Sequence, residues 1–340
     1  MVKSLIKQPL FVIGFLFVVG FIAASFYYQV AYHNKIPQSN LFYDENGKLI
    51  GAPPISPALY PPFGTDRSGY SMGIKILIGA KWTLGGAILI AFIRMLLAFF
   101  LGIIYGNYFY RYKRVLTAFV DGIAVIPLTL FAYIVLKIVL EMDSFTSTFV
   151  YPLWQRTLFE GMFISVIAVP VVAVLIGNEI GEMFKKEYID SAKILGGSRW
   201  HIFWHHAMPH IMPKLFVTFV QQVIQVMVIL GHLGLLGLFF GGTMIFHMGP
   251  IISSTQEWAG LIGENVKSIN IYPWLVAGPI VVFTLGIMAF NFMLVGIQRA
   301  MKANKIEKIK RGLPTQNQIE LAPGAAEPFA FISELKATAK

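Results

Sequence analysis

Four histidines, His201, His205, His206 and His210, recur at i, i+4 spacings, the pattern by which paired imidazoles on a helix grip a zinc ion. The register puts His201 with His205 and His206 with His210 on different faces, and no Asp or Glu lies within the cluster. The ligand set is incomplete, and the segment reads as a basic interfacial surface. Arg94 and Lys137 are the charges deepest in apolar runs. Such a charge faces a bundle interior or a water-filled cavity unless it snorkels to the interface. Snorkelling suits Lys137, near a span end. Arg94 suits it poorly, which leaves a solute pathway or a subunit interface as the competing reading. His232 and Asp121 are weaker candidates of the same kind, since a neutral imidazole is tolerated inside a bundle and Asp121 lies near a span end.

Catalytic chemistry finds nothing to build on. There are no cysteines, so disulfides, thiolate metal sites and Cys nucleophiles are all excluded. No G-x-x-x-x-G-K-[ST], Ser-x-x-Lys, His-Glu-x-x-His or nucleophile-elbow pattern occurs. The chain is expected to be no enzyme, with no metal and no cofactor of its own.

The elements that must position these residues follow from composition. Of 340 residues 56% are hydrophobic and only 13% charged, with a mean hydropathy of +0.67. A soluble domain carries about 25% charged residues, so this is a membrane protein. The net charge of +10 does not indicate nucleic acid. Its Lys and Arg flank apolar runs, where they set topology and meet anionic membrane lipid. Six spans are expected: 9–30, 82–105, 115–140, 158–180, 215–233 and 273–298, each near the length needed to cross hydrocarbon. The basic loops and the run Arg299, Lys302, Lys305, Lys308, Lys310 and Arg311 place both termini in the cytoplasm. The fold class is all-α, polytopic. Its parts are a first transmembrane helix (1–31), an extracytoplasmic segment (32–76), a transmembrane domain (77–301) and a basic, partly disordered cytoplasmic tail (302–340). The segment 256–268, bearing Trp258, Leu261 and Ile262, is expected to lie along the outer face.

One charged stretch, Glu187 to Pro213, interrupts two apolar runs. Tyr188, Ala192 and Leu195 fall along one side of a helix, which Gly196-Gly197 should end in a turn. A second short helix bearing Trp200, Phe203 and Trp204 should stop before Pro209. Lys185, Lys186, Lys193 and Arg199 surround it. A bent, basic segment fixed between two spans is suited to receiving force from a cytoplasmic partner. On spacing alone, an ordinary amphipathic loop remains open.

This segment resembles the "EAA" loop of ABC-importer permeases, above all the form in dipeptide, oligopeptide and nickel importers, with roughly EYVEAARALGAS and HILP. Glu187, Tyr188, Ala192, Leu195, Gly196, Ser198, Trp200, His206 and Pro209 match, while Asp190-Ser191-Ala192 stands for Glu-Ala-Ala. Pro62 to Gly69 is similar to the family's HPLGTDxxGRD signature at Gly64, Thr65, Asp66 and Gly69, but Tyr70 and Ser71 replace Arg-Asp. Thr65 and Asp66 are good turn or capping residues for a helix starting near Ser68. Asp121 and Pro127 match "vDillaiP", Glu179 agrees, and Val174 and Gly177 stand where arginines are usual. Ala289-Phe290-Asn291 matches "AFN".

The resemblance implies a type I ABC-importer permease fold, a divergent second-permease ("C" type) subunit, in the cell membrane. It implies a homologous permease as partner and cytoplasmic ATPases, carrying ATP and Mg, docked on the coupling helix of 187–213. It also implies an extracytoplasmic substrate-binding protein that delivers peptides or a related solute. Two rivals stand beside it. An ion- or proton-coupled secondary transporter needs intramembrane carboxylates, and only Asp121 and Glu179 are near candidates. A non-transporting scaffold or sensor has no need of the glycine-bent loop.

Overall fold

The computed structural model describes residues 2–312 except 40, 44–46, 48, 144–145 and 246–249. The expected tail, from residue 313 onward, lies outside the described residues. Apolar runs with few charges become helices because a backbone away from water must bond to itself. In order they are α1 (Val2–Ile6), α2 (Pro9–Tyr32), α3 (Met72–Ala80), α4 (Gly86–Ile104), α5 (Lys113–Ala124), α6 (Leu128–Leu140), α7 (Leu153–Met183), α8 (Glu187–Ile194), α9 (Arg199–Ile202), α10 (Met208–Leu235), α11 (Trp258–Asn265) and α12 (Trp274–Gly312). Two short antiparallel hairpins are the strands described: β1 (Phe42–Tyr43) with β2 (Leu49–Gly51), and β3 (Thr243–Met244) with β4 (Ile252–Ser253).

Five helical stretches are long and apolar enough to cross a membrane: Pro9–Tyr32, Met72–Ile123, Leu153–Met183, Arg199–Leu235 and Trp274–Ala303. The crossing expected at 115–140 is not one helix. It is broken at 125–127 into α5 and the shorter apolar α6. Pro127 is the cause, since it has no N–H to continue α5. Its carbonyl instead opens α6, accepting from the amides of Leu130 and Phe131 at 3.0 and 3.2 Å. The basic stretch between the second and third expected spans is helical: π-helical and 3₁₀ turns carry α4 into α5.

Lipid tails are as apolar as leucine, so helices here associate through close fit. The broadest contacts are α4 along α7 and α2 along α12. A methyl group on Gly102 or Gly106 would come within 2.9 or 2.7 Å of Ile176 or Ile180, so those glycines set the α4–α7 approach. Gly177, on the other side of that contact, faces the ring of Tyr105, and any Cβ there would overlap it. This accounts for the missing arginine: a guanidinium stem cannot share space with Tyr105.

The second expected helix does not stop before Pro209. α9 passes through a π turn at Phe203–Ala207 directly into α10, which contains Pro213 as well. A π turn shifts the pairing by one residue and makes room ahead of a proline ring, so the chain bends without ending.

α11 also differs from expectation. Trp258 is 0% exposed and Ala259 to Gly263 are buried, so α11 is wedged between α3, α10 and α12 rather than laid on a surface. The Trp258 indole N–H donates to the carbonyl of Ile76 at 2.7 Å, and its amide donates to Thr83 Oγ1 at 2.9 Å.

Candidate functional site

Glu187 to Ile194 form α8 as predicted, with Glu187 and Asp190 in the first turn and Lys193 in the last, each complementing the helix dipole. The helix ends at Gly196, whose φ of +83° lies in the left-handed region. The amide of Gly196 donates to Lys193 O at 3.0 Å and that of Gly197 to Ala192 O at 3.2 Å, the paired bonds of a Schellman end. Ser198 then caps α9, its hydroxyl accepting from the amide of His201 at 3.3 Å.

Burial divides the loop into two sides. Ile189, Ile202, Phe203 and Ala207 are buried and fix it to the helix ends behind. Ile194 and Leu195 are 85% and 88% exposed at the tip, with Tyr188, Trp200 and Trp204 about half exposed. Asp190 pairs with Lys193 at 2.7 Å, and Lys193 also donates to Phe184 O. Arg199 donates to Asn107 O at 2.6 Å, tying α9 to the α4–α5 turn. Ser191 donates back to Glu187 O. Pro209 is exposed and His206 half-buried. His201 and His205 stack at 4.2 Å, His206 meets His201 edge-on, and His210 lies against Tyr188. Among the described residues no three His, Asp or Glu side chains converge on a metal position.

Behind the loop, Arg94 is fully buried. Its guanidinium donates to Gln222 and Gln225 at 3.0 Å each and to Ile164 O at 2.8 Å. It therefore braces α4, α7 and α10 from inside, which disposes of snorkelling. Lys137 behaves as snorkelling implies, half exposed and paired with Glu141 at 3.5 Å. Asp121 is exposed on α5 and His232 exposed near the end of α10, so neither joins Arg94. Glu179 pairs with Lys214 across α7 and α10.

At the opposite end the signature residues hold backbone together and do not cap. The helix begins at Met72, not near Ser68. Thr65 Oγ1 accepts from Ile55 N at 2.9 Å. Asp66 Oδ1 accepts from Ser68 and Tyr70 amides at 2.8 Å, and Oδ2 pairs with buried Lys75 at 2.6 Å. Gly64 and Gly69 have φ of +73° and +83° and press on the carbonyls of Ile55 and Ser39. The Asp carboxylate needs these turns to meet both amides.

The sequence reading missed two buried carboxylates. Glu160 in α7 is 1% exposed and accepts from Gly241 N at 2.9 Å, and Glu257 is 2% exposed and accepts from Phe240 N at 3.4 Å. Asp121 and Glu179 are thus not the only acidic candidates near the bundle. Glu160 and Glu257 latch the same stretch of backbone, which links α10 to β3. The only sequence signal was an acid beside a Trp or inside an apolar run.

Burial pushes the Glu257 carboxyl up to about 8, against the pull of the Phe240, Ala259 and Gly260 amides. A carboxyl with a raised folded pKa binds more protons folded than unfolded, so it favours the fold at low pH. That stability is complete below the unfolded value and is lost as pH rises through about 8. Thermal midpoints should therefore fall from pH 5 to 9, and Glu257→Gln should flatten that fall. Parallel melting curves for the two proteins would exclude this role.

Helices of this length and composition, with charges confined to braces and ends, make a multi-pass membrane protein. The chain belongs to the family described as "Binding-protein-dependent transport system inner membrane component", which matches residues 98–304. It is similar to the peptide transport system permease protein SapC of Escherichia coli O6:H1, 25% identical over 240 residues, 71% of this chain and 73% of that one. The glutathione transport system permease protein GsiD of Pectobacterium atrosepticum is 23% identical over 299 residues, covering 88% of each. The dipeptide transport system permease protein DppC of Alkalihalophilus pseudofirmus is 22% identical over 299 residues, 88% of this chain and 87% of that one. The chain is a permease subunit of an ABC importer.

Proposed function

We propose that this permease imports peptides or a related small solute and is driven through 187–209 by separate ATPase subunits that carry ATP and Mg. The loop end faces the cytoplasm with both termini, in the cell membrane. A homologous permease completes the pathway, and a binding protein delivers solute at the opposite end. The observation that carries the coupling role is the tip: Ile194 and Leu195 stand in solvent at 85% and 88% exposure on a loop whose base is buried. Two exposed aliphatics on a braced turn suit insertion into an apolar groove. The relatives named for peptide, glutathione and dipeptide transport support the solute class. The departures at Val174, Tyr70 and Ser71 support a solute outside the ordinary short peptides. Affinity purification of the tagged chain from native membranes tests the reading. It should bring down an ATPase with Walker motifs and a second permease, and recovery of the chain alone would overturn it.

A further inference from the structure

α10 carries two exposed faces of opposite character. Met212 and Phe216 are exposed on one side, apolar as a lipid- or protein-facing surface should be. On the other side Lys214, Thr218, Gln221, Gln225, Val228 and His232 follow at i, i+4, i+7, i+11, i+14 and i+18. At about 100° per residue these six fall within an arc of about 80°. All but half-buried Thr218 are exposed. The stripe runs from near one end of the helix to near the other.

α4 and mid-α7 do not do this, whereas α12 carries a sparser polar line of exposed Thr284, Asn291 and Gln298. The exposed side chains of α4 are Leu89, Phe92, Leu96, Phe100, Leu101 and Ile104, and those of mid-α7 include Val166, Val171 and Leu175. The chain thus keeps polar groups off faces that meet hydrocarbon, where an amide without partners is costly. Gln221 makes no side-chain hydrogen bond among the described residues. Gln225 Oε1 accepts from Arg94, and its amide N–H groups make no side-chain hydrogen bond among the described residues. Lys214, the one cation of the stripe, is neutralised by Glu179.

We propose that this stripe lines a water-filled passage and presents amide and imidazole groups to an uncharged, hydrogen-bonding stretch of solute, such as a peptide backbone. It is formally neutral, so it would pass such a solute without selecting side-chain charge. Arg94 is then a positioning residue: it fixes Gln225 from behind and does not touch the solute. The inference rests on the permease reading and assigns that permease its pathway residues.

The native chain has no cysteine, so single cysteines report cleanly. They would be placed at Thr218, Gln221, Val228 and His232, with Phe216 and Phe100 as apolar controls, in the assembled complex in native membranes. A methanethiosulfonate bearing a quaternary ammonium reaches only thiols that water reaches. Labelling at the four stripe positions should exceed that at Phe216 and Phe100 by about tenfold or more, because the reagent does not partition into hydrocarbon. Equal rates on both faces would overturn the proposal. So would unreactive stripe thiols that form disulfides with a second permease, because the face would then be a sealed interface. ATPase recovery is measured on the same preparation. An unreactive stripe with the ATPase present sinks this inference alone. A reactive stripe with no ATPase sinks the permease reading and leaves the water-lined face.

Discussion

Replacing Arg94 with Leu should destabilise the helix bundle by about 3 kcal/mol, because it strips the donor from two buried acceptors, Gln222 and the carbonyl of Ile164, as well as from the more exposed Gln225. Gln222, Gln225 and the carbonyl of Ile164 all lose their partner, and they belong to two different helices. The protein should still insert, since insertion follows hydrophobicity, but the detergent-solubilised form should melt markedly lower. Adding Gln222→Leu should recover part of the loss, because removing both partners of a buried bond is milder than removing one. Arg94→Lys should fall between, with a compact ammonium reaching fewer of the three acceptors. An unchanged melting temperature for Arg94→Leu would contradict the brace.

The second large effect is expected at Gly196. Its φ of +83° costs a Cβ-bearing residue about 1–2 kcal/mol, and a β-branched side chain more. No atom lies near the place a Cβ would occupy, so the penalty is conformational and not a clash. Gly196→Val should therefore unwind the Schellman end of α8 and displace Ile194 and Leu195, leaving the spanning helices intact. Uptake should be lost or uncoupled from ATP hydrolysis while membrane insertion stays normal. Gly196→Asn, which tolerates the left-handed region, should be much milder. Equal losses for both variants would mean that something other than the turn is at stake. Asp190→Ala removes only an exposed pair with Lys193, and such pairs contribute at most about 1 kcal/mol.

The turn and caps of the 187–209 loop were legible because their signals are local. A Gly-Gly pair ends a helix whatever surrounds it, and Ser198 caps the next. Arg94 was legible as buried, since a charge so deep in an apolar run has few places to go, but its partners are 70 to 131 residues away in sequence and could not be read. α11 was misread for a related reason. Trp258, Leu261 and Ile262 suggest one apolar stripe, yet the neighbouring Ala259, Gly260 and Gly263 are small enough for other helices to close on every side. Burial all round then followed from packing, which single-sequence periodicity does not carry. Pro209 predicts a helix stop because prolines break α-helices, and the π turn at Phe203–Ala207 removes that conflict. Thr65 and Asp66 were rightly read as structural but given the wrong partners: the amides they satisfy belong to Ile55, Ser68 and Tyr70, not to a helix start.

The account rests on the tip of this loop meeting an ATPase, and crosslinking tests it most directly. A cysteine at Leu195, in the cysteine-free chain, would be coupled to a benzophenone maleimide, which on illumination inserts into C–H bonds of whatever it touches, in native membranes and beside a control cysteine at Val150, exposed at the opposite end. The account predicts a covalent adduct between residue 195 and a Walker-motif ATPase, and none from residue 150. An ATPase adduct from Val150, or none from Leu195 in a complex that still co-purifies with its ATPase, would contradict it.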